Sequence, residues 1–325
     1  MTIGGRGLSK SRLLPSKTLG GGGIDGIDYP SFALIYVFVC FRKQIRRETR
    51  SMSSPILKGE PYSPERTAEI IDGLNREGFA HLGPTLKPDE VEALRDAMQR
   101  KWADSAMHDE VGDQIQGISM MRMFEYSTAF RDLIVREPFA SLAEAVLGED
   151  CHMLAQNALR TEPAEPVESG KSGGWHLDDL VHFPLNDEFE RHDPRMTMPC
   201  MVLQVFTPLT DVDEVKYGPT EVVPGSHYAG RRPNDSYNPN FDERGPVSIL
   251  AKAGDAYLFN NQVWHRGAPN VSDRVRYLAG VTYSKRFVSQ KLYPFIDYRM
   301  PEHVWEGADE RLQRFLGRHK KGAYG

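Results

Sequence analysis

The sequence predicts a mainly β fold, a sandwich or jelly roll with helices at either end. Helix signals are confined to residues 63–147 and to the stretch after 301. From about residue 151, short apolar or alternating runs are separated by Pro, Gly, Asn and Asp, as in a chain of many short strands. The chain can also bury a core: of 325 residues, 40% are hydrophobic and 26% charged, near the globular average.

In chain order, residues 1–51 read as a disordered basic leader. Nine Lys/Arg against three acids make it +6, while the other 31 bases and 42 acids make the body −11. Gly20 to Gly23 leave no helix period there. The apolar run Phe32–Phe41 is about half the ~20 residues a spanning helix needs. Arg42, Lys43, Arg46 and Arg47 follow it, where a secretory leader has a small-residue cleavage site. The expectations are Met52 as the working start, a cytoplasmic location and no membrane contact. Organellar targeting, or a weak surface anchor through 32–47, is the alternative.

One domain is expected over 52–325: helical to 150, a jelly-roll core over about 151–290 and a C-terminal segment over 291–325. Ser63-Pro64-Glu65 opens a first helix as N-cap, proline and first-turn acid, with Ala68, Ile71 and Leu74 on its apolar face and Gly78 ending it. Gly78–Leu82 reads as a strand. Pro88-Asp89-Glu90 opens a second helix with Val91, Leu94, Ala97 and Met98 on one face. A third runs near Pro138–Leu147 and stops at Gly148. Expected strands are His152–Leu159, Trp175–Phe183, Met198–Phe206, Thr220–Val223, Val247–Leu250, Ala256–Phe259 and Val275–Tyr283. Loops 184–197, 207–219 and 229–246 are long enough to carry function.

Charge and cysteine content exclude several classes. The acidic body has no basic excess for nucleic acid. Cys40, Cys151 and Cys200 form no C-x-x-C pair, so neither a disulfide scaffold nor a cysteine zinc site is expected.

Ten histidines can be tested for the pattern His-x-Asp/Glu, whose members share one face of a strand. Two fit. His108-Asp109-Glu110 lies in a polar stretch and reads as solvated surface. His176-Leu177-Asp178 lies in an aromatic-rich strand candidate after Gly173-Gly174. His265, at the end of Gly254–His265, is the best third ligand. Two histidines and a carboxylate leave three adjacent octahedral positions open, the ligation of non-haem Fe(II) oxygenases. Two can take a bidentate 2-oxo acid and the third O2. The far carboxylate of such an acid needs a planar cation. Arg274 and Arg276 share a strand face just past His265, and geometry alone does not choose between them.

Several segments together resemble the phytanoyl-CoA dioxygenase family of Fe(II)/2-oxoglutarate oxygenases. They are Trp175–Asp178, Gly218–His227 with its Pro224-Gly225-Ser226-His227 turn, Gly254–Phe259 with Trp264-His265, and Pro269–Arg276. The resemblance covers about residues 63–325. It implies a double-stranded β-helix, the cupin-like jelly roll, with flanking N- and C-terminal helices. It implies His176, Asp178 and His265 as iron ligands, with Fe(2+) as cofactor and 2-oxoglutarate and O2 as cosubstrates. Arg276, eleven residues past His265, would pair the 2-oxoglutarate carboxylate, leaving Arg274 as a turn or surface residue. Gln156 resembles a position that contacts the cosubstrate. Thr220 or Glu221 would line the same pocket, with strand edge and turn as the plainer reading. His227 reads chiefly as a structural partner in its turn. Trp175, Trp264 and Phe183 read as site walls or ordinary core, and Asp179 as a supporting acid or salt bridge. The expected reaction is hydroxylation of a small-molecule substrate with release of succinate and CO2. The alternative is a metal- or ligand-binding jelly roll without oxygenase activity.

Overall fold

The structure is a computed structural model that describes residues 58–104, 115–116, 118–165, 174–178, 186–292 and 298–322. The expectations for residues 1–51, His108-Asp109-Glu110, Asp179 and Phe183 lie outside the described residues.

The N-terminal part is helical. Helix α1 (Pro64–Glu77) starts where Ser63 Oγ accepts from the Arg66 amide (3.2 Å). It ends at Gly78, whose φ of 83° is left-handed. A Cβ on Gly78 would lie 2.7 Å from His227 Nδ1 and 2.9 Å from Val263 Cγ2, so the position has no room for a side chain. The buried stripe of α1 is Ile70 and Leu74; Ala68 is exposed, so the face lies one residue from the expected Ala68/Ile71 line. Strand β1 (Phe79–Pro84) and helix α2 (Pro88–Ala103) follow, and α2 buries Val91, Leu94, Ala97 and Met98 as its periodicity predicts. Two short strands, β2 (Ile115–Gln116) and β3 (Ser119–Met121), and two short helices, α3 (Met123–Tyr126) and α4 (Thr128–Leu133), lie where no element is expected. Helix α5 (Phe139–Leu147) ends at Gly148.

The remaining strands are β4 (His152–Thr161), β5 (Val202–Pro208), β6 (Thr220–Val222), β7 (Val247–Ile249), β8 (Asp255–Asn260), β9 (His265–Gly267) and β10 (Arg276–Ser284). Helices α6 (Glu302–Trp305) and α7 (Glu310–Phe315) follow. A seven-stranded sheet runs β1-β8-β5-β10-β4-β3-β2, and a three-stranded sheet runs β7-β6-β9. All pairings are antiparallel.

Side-chain alternation divides the large sheet into two faces. On one, Ala279, Val281, Tyr283, Leu203, Val205 and Leu258 pack against the helices in the main core. On the other, Leu278, Phe206, Tyr257 and Phe259 meet Val222 and Ile249 of the small sheet. Two facing antiparallel sheets with flanking helices make the fold a mainly β jelly roll of the cupin type. No helix of the described residues is long and apolar enough to cross a membrane.

Candidate metal centre and the pocket behind it

His176 and His265 exchange backbone hydrogen bonds, His176 N to His265 O at 3.0 Å and the reverse at 2.8 Å. This single bridge adds residue 176 to the small sheet beyond β9. Asp178 N donates to Asn261 O (3.2 Å), which continues the extended backbone. Residues 176 and 178 then project to one side and meet His265. One ligand atom from each of His176, Asp178 and His265 lies within 4.8 Å of the others. Among the described residues no other group of three His, Cys, Asp or Glu side chains converges this way.

The two imidazoles stack at an angle, with centroids 4.3 Å apart. Each Nδ1 lies against a backbone carbonyl: His176 with Gly174 O at 2.7 Å, His265 with Val263 O at 2.8 Å. A carbonyl accepts only, so each Nδ1 carries the proton and each Nε2 keeps its lone pair. His265 Nε2 lies 3.8 Å from Asp178 Oδ1, while Asp178 Oδ2 accepts from Gln204 Nε2. Burial holds the His265 pKa below its ordinary value; the Asp178 carboxylate opposes this and His176 adds to it. The neutral, metal-binding form is favoured.

The Pro224-Gly225-Ser226-His227 turn braces the approach to His265. Trp264 N donates to Ser226 Oγ (2.7 Å), and Val223 N donates to Trp264 O (2.9 Å). His227 Nε2 donates to Asn75 O (3.0 Å) at the end of α1. Desolvation pushes the buried His227 imidazole down to about 4.

Arg276 is buried at the start of β10. Its Nη1 donates to Gly218 O and its Nη2 to Thr161 Oγ1 (3.0 Å), while its buried Nε has no partner among the described residues. Gly218 has φ 70°, and a Cβ there would sit 2.7 Å from Ala268 O, so the chain crosses closely beside the arginine. Thr220 Oγ1 and Tyr257 OH share a hydrogen bond (2.8 Å), and both line one small cavity with Arg276 and Leu278. Burial raises the Tyr257 phenol to about 12, opposed by Thr220 and Arg276, and burial lowers the Arg276 pKa, opposed by Tyr257.

The structure separates the other expected residues from this pocket. Gln156 does not fit a cosubstrate contact. It pairs with Val281 on the helical face of the large sheet, and its amide donates to Phe130 O (2.6 Å). Arg276 pairs with Thr161, five residues along β4 and therefore on the opposite face. Glu221 points away from the intersheet core and binds Arg266 Nε (2.7 Å) and Ser248 Oγ (3.1 Å). Trp175 and Trp264 alternate with His176 and His265 and pack on the outer side with Leu177, Val223 and Phe241. Arg274 is exposed and lies over the Tyr217 ring at 3.8 Å.

Two site residues escaped the sequence reading, Gln204 and Tyr257. Their signal was a lone polar group inside an otherwise apolar strand run, which must find a partner when buried.

The chain matches the phytanoyl-CoA dioxygenase (PhyH) family over residues 74–278, a span that includes the metal cluster and Arg276. An ectoine dioxygenase from Halomonas elongata is 25% identical over 288 residues, covering 77% of this chain and 82% of that protein. Dioxygenase trt7 from Aspergillus terreus is 25% identical over 287 residues, covering 78% and 93%. Solved structures share the fold. The non-haem α-ketoglutarate-dependent epimerase SnoN from nogalamycin biosynthesis aligns with TM-score 0.50 at 21% identity, over 76% of this chain and 93% of that one. The carbocyclase SnoK from the same biosynthesis aligns with TM-score 0.51 at 22% identity, over 70% and 88%. The chain belongs to the phytanoyl-CoA dioxygenase family and is a dioxygenase of the 2-oxoglutarate-dependent class, with Fe(II) as cofactor and 2-oxoglutarate and O2 as cosubstrates.

Proposed function

We propose that this protein hydroxylates a small-molecule substrate, with His176, Asp178 and His265 holding the iron and Arg276 anchoring 2-oxoglutarate. The observation that carries the reading is the convergence of the three ligand atoms within 4.8 Å, with both Nδ1 atoms occupied by carbonyls. That donor set suits Fe(II) and leaves three adjacent positions. When bound, the Fe(II), 2-oxoglutarate and O2 set supplies the oxidation, releasing succinate and CO2 and delivering one oxygen atom to the substrate.

The chain's own residues do the positioning. The Gly174 and Val263 carbonyls fix the imidazole tautomers and aim both Nε2 atoms inward. Arg276 fits the far carboxylate because its buried Nε lacks a partner among the described residues and its planar fork can grip two oxygens. Thr220 and Tyr257 place hydroxyls beside that fork. Phe206, Phe259 and Leu278 form an apolar wall between the sheets that keeps water from the reacting centre. Residues 52–325 are proposed as the whole catalytic domain.

The test is Fe(II)-dependent formation of succinate from 2-oxoglutarate, including turnover without a prime substrate. Wild-type protein should form succinate and His176→Ala, Asp178→Ala and His265→Ala should not. Equal turnover in all four would remove the proposed triad. A panel of small molecules scored by stimulated 2-oxoglutarate consumption then identifies the substrate.

A further inference from the structure

We propose that Gln204 is a positioning residue that restricts Asp178 to one-oxygen ligation of the metal. The inference rests on the reading of His176, Asp178 and His265 as the iron site.

A carboxylate can offer a metal one oxygen or two. Here the two oxygens of Asp178 have different neighbours. Oδ1 is the atom 3.8 Å from His265 Nε2, on the side where the ligand atoms converge. Oδ2 accepts a hydrogen bond from Gln204 Nε2. An oxygen that accepts from an amide N–H commits one of its two lone pairs and part of its charge to that donor, and the bond fixes the carboxylate's orientation, so this oxygen is the poorer second ligand.

Gln204 is well placed to hold this arrangement. It lies mid-strand in β5, paired with Phe259 of β8 on one side and Thr282 of β10 on the other. It is buried, and the side chains around it on that face include Phe206 and Phe259. An amide is costly in such surroundings unless its polar atoms are bonded, and an aliphatic residue would pack there without that cost. The contact with Asp178 accounts for an amide at this position.

The chemical consequence concerns the count of open positions. With one oxygen from Asp178, an octahedral ion keeps three sites, enough for a chelating 2-oxo acid and a further small ligand. With two oxygens it keeps two, and the third site is lost. Gln204 therefore protects the site that the co-oxidant needs without touching it.

The experiment counts waters on bound Mn(II) in the full-length protein, from the hyperfine broadening of its electron paramagnetic resonance in isotope-labelled water. Wild type should hold one Mn(II) with three waters, and Gln204→Leu should hold it with two. Gln204→Met, which keeps the side-chain length, is the second apolar variant should the leucine fail to fold. Thr282→Val, the neighbour on the same sheet face, should keep three and controls for repacking. In both Gln204 variants, turnover of 2-oxoglutarate should fall about tenfold or more, with its KM within about threefold of wild type. Three waters in the Gln204 variants would overturn the proposal while leaving the metal site standing. Failure of wild type to bind Mn(II) would overturn the metal reading, and this proposal with it.

Discussion

His176 and His265 each commit one ring nitrogen to a backbone carbonyl, so the other nitrogen keeps its lone pair before any ion arrives. Arg276 is arranged differently. Two of its nitrogens are bonded within the protein, and the third has no partner among the described residues. Replacing it with lysine keeps the charge but removes the fork. Arg276→Lys should raise the KM for 2-oxoglutarate about thirtyfold, the equivalent of about 2 kcal/mol of lost charge-assisted bonding. Steady-state assays at varied 2-oxoglutarate check this, and an unchanged KM would place the anchor elsewhere. At this scale the residues that converge were legible as candidates, because His-x-Asp, a later His and an Arg past it carry their chemistry in their spacing. Tyr257 and Gln204 were not, because a single polar residue in an apolar run does not reveal which partner it meets.

At the scale of elements, strand parity decides which residues reach the site. Gln156 and Thr161 share β4 but occupy opposite faces, so an offset of one residue moves a side chain from the intersheet pocket to the helical layer. Sequence alone locates the strand, while its register against β10 sets the face. The short elements β2, β3, α3 and α4 were illegible for a related reason. Segments of two to six residues show no full period, and tertiary packing fixes them.

The serine-histidine turn links α1 to the strand bearing His265, and its His227 is neutral in the fold. Its folded pKa is depressed to about 4 while the unfolded value is the ordinary 6.5. Stability from this group is therefore complete above pH 6.5 and declines as pH falls toward 4, by roughly 3 kcal/mol at most. Denaturant unfolding of wild type and His227→Phe across that window should show a shallower acid slope in the variant. Equal slopes would mean that His227 is not the group responsible. In the helical layer, Glu90 of α2 and Arg136 form a buried ion pair at 2.9 Å. Glu90→Ala strands the arginine and should cost about 3–5 kcal/mol, read from the shift in urea midpoint.

For the whole molecule, the charge of −5 is the sum of a +6 segment, residues 1–51, and a −11 body. The described fold and the candidate site lie in the body. A fragment beginning at Met52 should keep full 2-oxoglutarate turnover and the full thermal transition. Loss of either would make the first 51 residues part of the enzyme. The overall class was readable because a long run of alternating strands lies between two stretches that carry the helix signals. Pairing order was not, since the β1-β8-β5-β10-β4 arrangement joins strands up to about 180 residues apart.

In the proposed function, His176, Asp178, His265 and Arg276 together hold an iron–2-oxoglutarate pair. Anaerobic addition of Fe(II) and 2-oxoglutarate to the protein tests it, because a chelated pair gives a visible charge-transfer absorption that neither component gives alone. The band should appear for wild type, be absent for His176→Ala, and require far more 2-oxoglutarate for Arg276→Lys. A band of equal strength in His176→Ala, or none in wild type with both components present, would contradict this assignment.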